Sequence, residues 1–138
     1  MEIKVYNYLP DEAMEIRIEV FVREQGFSDH PDDTDKMAHH LVGYIDGAAV
    51  ATCRIFASRG SAFSLGRLAV LPAYRQRGIG RALLCEAERV ARDLGAECLM
   101  LHAQAHAEAF YLGAGYTRVG DTDYEQGRAH VHMIKIIN

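Results

Sequence analysis

Hydrophobic positions along the chain recur at two spacings, and the switches between them divide it into elements. Residues 2–8 alternate as a strand, and Pro10-Asp11 opens a helix that runs to about Arg23. Two further strands, 39–45 and 48–57, are joined by Asp46-Gly47, a dipeptide suited to the positive-φ positions of a tight hairpin. A strand over 63–71 is stopped by Pro72. From 78 to about 94, Ile79, Leu83, Ala87, Val90 and Leu94 recur at helical spacing, and Gly95 caps that helix. Residues 98–101 read as a short buried strand and 104–112 as a late helix ended by Gly113 and Gly115. Residues 116–120 and 129–137 read as closing strands. Only 25–36 lacks periodicity: Gly26, Pro31 and four aspartates break it, and it reads as a loop. The order β-α-β-β-β-α-β-α-β-β is an antiparallel meander followed by a βαβ unit. It predicts an α/β (α+β) fold, a mixed sheet flanked by helices, in one domain over 1–138.

Composition narrows the class. A chain of 138 residues, 49% hydrophobic and 25% charged, can bury a proper core. No apolar run approaches the ~20 residues of a membrane span. Met1-Glu2-Ile3-Lys4-Val5 reads as strand rather than as a leader, so a cytoplasmic location is expected. Cys53, Cys85 and Cys98 match no zinc spacing and read as reduced thiols. The net charge of −4 conceals an asymmetry: residues 1–46 hold eleven acids and four bases, whereas 54–92 hold eight arginines and two glutamates. An acidic protein with one arginine-rich block fits a pocket for a compact polyanion better than a nucleic-acid face.

That block surrounds a glycine loop. Strand 63–71 leads through a turn into Arg75-Gln76-Arg77-Gly78-Ile79-Gly80 and then into a helix. The glycines let the backbone approach a ligand, and the first N–H groups of the helix lack internal partners and sit at its positive dipole end. Together they form an anion site, to which Arg75, Arg77 and Arg81 add full charges. The Gly-Lys-Ser/Thr of a Walker loop and the Gly-x-Gly-x-x-Gly of a dinucleotide fold are both absent.

Arg75-x-x-Gly78-x-Gly80, after a strand ending Leu68-Ala69-Val70, resembles the pyrophosphate motif of the GNAT (Gcn5-related) N-acetyltransferases. Gln104-Ala105-His106-Ala107-Glu108-Ala109-Phe110-Tyr111, followed by Gly115-Tyr116, resembles that superfamily's late helix. Val20 to Gln25, Asp33-x-Asp35 before His39-His40-Leu41, Cys53-Arg54 and Glu125-Gln126-Gly127 with His130 and Met133 are similar to its ElaA-like branch. Many members of the superfamily have Asn where Gln104 stands; the branch resemblance includes Gln.

The resemblance implies a mostly antiparallel GNAT sheet and direct transfer of acetyl from acetyl-CoA to a primary amine. It places Leu68, Ala69, Val70, Arg75, Gln76, Arg77, Gly78, Ile79, Gly80, Arg81, Gln104, Ala107 and Tyr111 against the cofactor. Backbone N–H groups near Leu68 and Ala69 would hold the carbonyl oxygen where two strands splay apart, and Tyr111 would donate to the departing thiolate. Homodimers are common among such folds.

A base for the amine is harder to assign, because 63–71 carries no acid. On a 100°-per-residue wheel, Arg17 and Glu24 fall inside the apolar arc of the first helix, beside Ala13, Val20 and Phe21. They bridge each other, snorkel to a rim, or line the amine pocket; Glu24 in the pocket is the expectation carried forward. His130 and His40 are the other bases, and Arg17, Glu24, His40 and Arg54 the acceptor-side candidates. His130 and His132 share a strand face, but with no acid at ligand spacing no metal site is expected. His102 and His106 read as polar residues at a strand–helix junction. The acids of 11–35 serve either to draw a cationic amine or simply as a solvated loop. A polyamine, an amino sugar, an aminoglycoside-like compound and a peptide terminus all remain open as acceptors. The rival to an enzyme is a non-catalytic acyl-CoA sensor; nucleic acid, membrane and metal are not expected as partners.

Overall fold

The computed structural model describes residues 1–138. Seven strands form one sheet in the order β1-β2-β3-β4-β5-β7-β6: β1 (Glu2–Tyr6), β2 (His39–Ile45), β3 (Ala48–Ala57), β4 (Ala62–Val70), β5 (Cys98–Gln104), β6 (Thr117–Glu125) and β7 (Arg128–Ile136). Only β4 and β5 run parallel, as the crossover through α3 (Ile79–Asp93) requires. The fold is the mixed, mostly antiparallel α/β sheet expected.

The two faces of β3 explain the layers. Ala51, Cys53 and Ile55 point into the main core with Leu41, Leu65 and, from α3, Leu83, Leu84 and Ala87. Thr52 and Arg54 alternate to the other face, where α1 (Asp11–Arg17) packs. Ile16, Val20 and Ala69 form a smaller apolar cluster there.

Four local readings need correction. The first helix does not stay α-helical to Arg23: from Ile18 to Glu24 it widens to a π-helix, with Gln25 N–H bonded to the Val20 carbonyl. Residues 25–36 contain a helix, α2 (Asp33–Met37), nucleated by reciprocal Asp32 and Asp35 capping bonds. The late helix begins later, since Gln104 ends β5 and α4 spans Glu108–Gly113. Strand β6 does not stop at Gly120 but bulges there, at φ 76°, and continues to a tight turn at Gln126-Gly127.

Candidate active site

Strands β4 and β5 pair only from Ala62–Cys98 to Leu65–Leu101. Beyond that β4 stays with β3, whereas β5 follows β7 to Gln104 opposite His130. The wedge is opened by a bulge. Ala69 faces Thr52 and Gly66 faces Arg54, so Arg67 and Leu68 together oppose the single residue Cys53. Arg67 takes φ 54°, a conformation that a side chain with a Cβ adopts only when the surroundings enforce it. Its side chain reaches Asp29 with Nε at 3.3 Å from the carboxylate.

A cavity of about 180 Å³ fills this wedge. Leu65 to Leu68 and Leu101 to Gln104 form two walls, Ala107 and Tyr111 a third, and Phe21, Phe27 and Asp29 the fourth. Glu125, Gln126 and His130 close one end. The Gln126 amide bonds both the N–H and the carbonyl of Ser28 (2.8 and 3.1 Å). Arg128 donates to the Gln25 carbonyl and lies 4.7 Å from the Phe27 ring centroid. The β6–β7 turn thus straps residues 25–28 over the cavity, which accounts for the Glu125-Gln126-Gly127 signal.

The glycine loop lies at the end of β4. After a single 3₁₀ turn (Pro72–Tyr74), Gln76 and Gly78 both take positive φ, 61° and 76°. Such alternation curls backbone N–H groups into an anion-binding nest before the N-terminus of α3. A Cβ on Gly80 would touch Val70 and Phe110 at 3.6 Å, so the helix entrance is packed close to the strand and to α4. Arg75 is clamped by the Val70 carbonyl (3.0 Å) and by both oxygens of Glu24 (2.6 and 2.5 Å). Arg77 lies against the Tyr74 ring.

Of the residues singled out in the sequence, Leu68, Gln104, Ala107, Tyr111 and His130 line the cavity. The Tyr111 ring is 7% exposed, and burial pushes its phenol well above the ordinary value, so it is a neutral donor at any working pH. Gln104 bonds Gln25 across the cavity and receives the His106 ring. His130 Nδ1 lies 2.8 Å from the Arg128 carbonyl, an acceptor; Nδ1 therefore carries the hydrogen and Nε2 the lone pair.

The acceptor-side expectations fare differently. Glu24 does not line the cavity; the π segment falls behind a 100°-per-residue wheel and turns it out to Arg75, whose hydrogen bond lowers its pKa. Nor do Arg17, His40 and Arg54 line it. Arg17 is 1% exposed and donates to Asp29 (3.0 and 2.9 Å) and Asp35 (2.8 and 3.3 Å). Arg54 donates to Asp32 and Asp35, each at 2.8 Å, while its buried Nε is without a partner near Gly66. His40 Nε2 donates to the Asp35 carbonyl, and burial lowers the ring's pKa despite that bond. These three brace the acidic segment from beneath. The residues missed by sequence reasoning are Phe27, Asp29, Arg67, His102 and Glu125 on the cavity walls. Only Glu125 stood inside a recognised motif; nothing local distinguishes the others.

The Acetyltransferase (GNAT) domain family matches residues 9–137. The chain is 30% identical to the uncharacterized N-acetyltransferase YjcF of Bacillus subtilis over 127 residues, 90% of each protein. The crystal structure of Escherichia coli ElaA superposes with a TM-score of 0.87 at 25% identity, covering 97% of this chain and 98% of that one. An acyl-CoA N-acyltransferase from Pseudomonas aeruginosa superposes at 0.85, also at 25% identity and with the same coverage. No helix is long and apolar enough to cross a membrane.

Proposed function

Because the chain belongs to the GNAT acetyltransferase family, we propose that it transfers acetyl from acetyl-CoA directly to a primary amine in the wedge between β4 and β5. The observation that carries this reading is the continuity of that wedge, along β4, with the glycine loop at the start of α3. The loop N–H groups with Arg75, Arg77 and Arg81 hold the pyrophosphate, and Leu68 to Val70 the chain of the cofactor. Leu68 stands in the bulge, so its N–H is the donor assigned to the carbonyl oxygen as charge develops there. The amine occupies the end of the cavity lined by Glu125 and His130. Its nitrogen bonds to the acetyl carbon, the C–S bond breaks, and Tyr111 donates to the departing sulfur. The proton leaving nitrogen goes to His130 Nε2, directly or through water. A cytoplasmic setting fits both the cofactor and the free thiols of Cys53, Cys85 and Cys98.

The first test is heating the protein with acetyl-CoA, ATP or NAD. At about a hundred times Kd a ligand adds roughly 2.7 kcal/mol. That corresponds to a Tm rise on the order of 5–10 °C for acetyl-CoA alone. No shift at saturating acetyl-CoA sinks the reading. A shift without turnover on any amine of a broad panel replaces it with the acyl-CoA sensor.

The Arg75–Glu24 pair gives a second prediction. Glu24 competes with phosphate for the guanidinium, and both side chains are more than a third exposed. Such a pair is worth about 0–1 kcal/mol, so Glu24→Gln should tighten CoA binding by up to about 5-fold at low salt. Calorimetric titration checks this. Weaker binding would instead mean that Glu24 positions Arg75 for the cofactor.

A further inference from the structure

Three strands gather five ionisable side chains on one face of the sheet beside the cavity. His102 of β5 is the register partner of His132 of β7, and their rings stack with centroids 4.2 Å apart and 11° between planes. The bulge in β6 carries Asp123 opposite His130 rather than two residues further along. Its carboxylate consequently meets both rings: Oδ1 lies 2.7 Å from His102 Nε2 and Oδ2 3.2 Å from His132 Nε2. Glu125 approaches the other nitrogen of His102, Nδ1, at 3.2 Å.

His102 thus has a carboxylate at each ring nitrogen. A neutral imidazole carries one N–H, so the second nitrogen would set its lone pair against a carboxylate oxygen unless a positive charge lay between them. With the hydrogen on Nδ1 donated to Glu125, the Nε2 lone pair faces Asp123. Carboxylate–imidazole pairing of this kind orients metal-bound histidines. A single added proton on His102 would also give each carboxylate an N–H, whereas one on each stacked ring would place two cations face to face. One divalent ion beside Asp123 supplies that positive charge and uses the lone pairs of both rings, while the Nδ1 hydrogen of His102 answers Glu125.

We propose that His102 Nε2, His132 Nε2 and the Asp123 carboxylate bind a divalent transition-metal ion, with Glu125 orienting His102. Two imidazoles and a carboxylate suit zinc, nickel or copper rather than magnesium or calcium. The three ligand atoms lie within 4.8 Å of one another. In a tetrahedral zinc site with bonds of about 2.0–2.1 Å they stand roughly 3.3 Å apart. The Asp123 oxygens already stand 2.7 and 3.2 Å from the two rings, and the side chains of Asp123 and His132, 48% and 52% exposed, have room for the small rotations that remain. His130 stands outside the group of ligand atoms that come together here, which is His102, Asp123 and His132 alone. The expectation of no metal rested on histidines without an acid at ligand spacing in the sequence, and the β6 bulge brings Asp123 to them across the sheet.

The test uses the full-length, untagged, chelator-treated chain titrated with Zn²⁺ and, separately, Co²⁺. One ion per chain is expected, with a cobalt spectrum of nitrogen and oxygen ligands only. His132→Ala and Asp123→Asn should each weaken binding by at least about 100-fold and Glu125→Gln by about 10-fold. Both ligand substitutions fall on half-exposed side chains, and unchanged circular dichroism verifies the fold. Non-saturating binding, a thiolate band from Cys85 or Cys98, or one-to-one binding that these variants leave intact would overturn the proposal. It does not rest on the acyl-transfer reading, which can fail in the acetyl-CoA melt while zinc still binds.

Discussion

Replacing Tyr111 by phenylalanine is expected to lower kcat for acetyl transfer by about 10²–10³-fold, within the range of a positioned proton donor, while KM for acetyl-CoA changes little. The cause lies in where the hydroxyl sits. Tyr111 leaves α4 to face the cavity opposite β4, in surroundings that keep the phenol protonated. A neutral phenol stabilises a departing thiolate by hydrogen bonding as negative charge gathers on sulfur. That interaction is far weaker with the intact thioester, so its loss falls on kcat rather than on binding. Phenylalanine keeps the edge-to-face contacts with Phe110 and Tyr116, whose centroids lie 5.0 and 5.7 Å away. The fold should therefore survive, as an unchanged melting curve would verify. A kcat within twofold of the parent would make Tyr111 a packing residue and move the leaving-group role elsewhere.

Arg17→Met should lower stability by about 3–5 kcal/mol, because it strands Asp29 and Asp35 as buried carboxylates with one fewer partner each. For a domain of this size the Tm falls by roughly 6–20 °C. The same network predicts acid lability in the parent chain. Burial alone would raise both aspartates, but hydrogen bonds and charge from Arg17, aided by Arg67 at Asp29 and by Arg54 at Asp35, hold them below the usual range. Groups depressed on folding stabilise fully above their unfolded pKa, about 3.9 for aspartate, and lose that stabilisation as the pH falls toward their folded values. His40, depressed chiefly by burial, adds an earlier loss that begins below about 6.5, where the unfolded chain takes up a proton that the folded one resists. Denaturant titrations of the parent should show a shallow decline from pH 7 to 5 and a steeper one below 4. In Arg17→Met the steep limb should flatten, since aspartates without that partner are no longer held down. A Tm within 3 °C of the parent, or a steep limb that persists, would mean that Arg54 and Arg67 carry the network.

Much of this molecule was legible in order along the chain. The apolar spacing of Ile79, Leu83, Ala87 and Val90 marks α3 because a helix's buried stripe is written at its own period, and those residues do form its inner face. Asp46-Gly47 marks the β2–β3 turn because both residues must accept positive φ, which they do at 50° and 81°. Gly78 marks the loop for the same reason. The capping pair Asp32 and Asp35 was equally local, but a helix of five residues is too short to show an apolar period, so the segment read as a loop.

What the tertiary structure decided is which distant side chains meet. Glu24 was assigned to the cavity by a wheel that assumes 3.6 residues per turn, and the π segment spends an extra residue and turns it to Arg75. Arg67 reaches Asp29 only because a two-for-one bulge lets β4 leave β5, and Asp123 meets His102 and His132 only because β6 bulges before pairing again. Helix stripes, turn dihedrals and caps draw their free energy from neighbours within a few residues, so the sequence by itself determines them. Cross-sheet contacts depend on register and on where the ladder is interrupted. Those are set by the packing of the whole sheet against its helices, and no short stretch of the chain contains them.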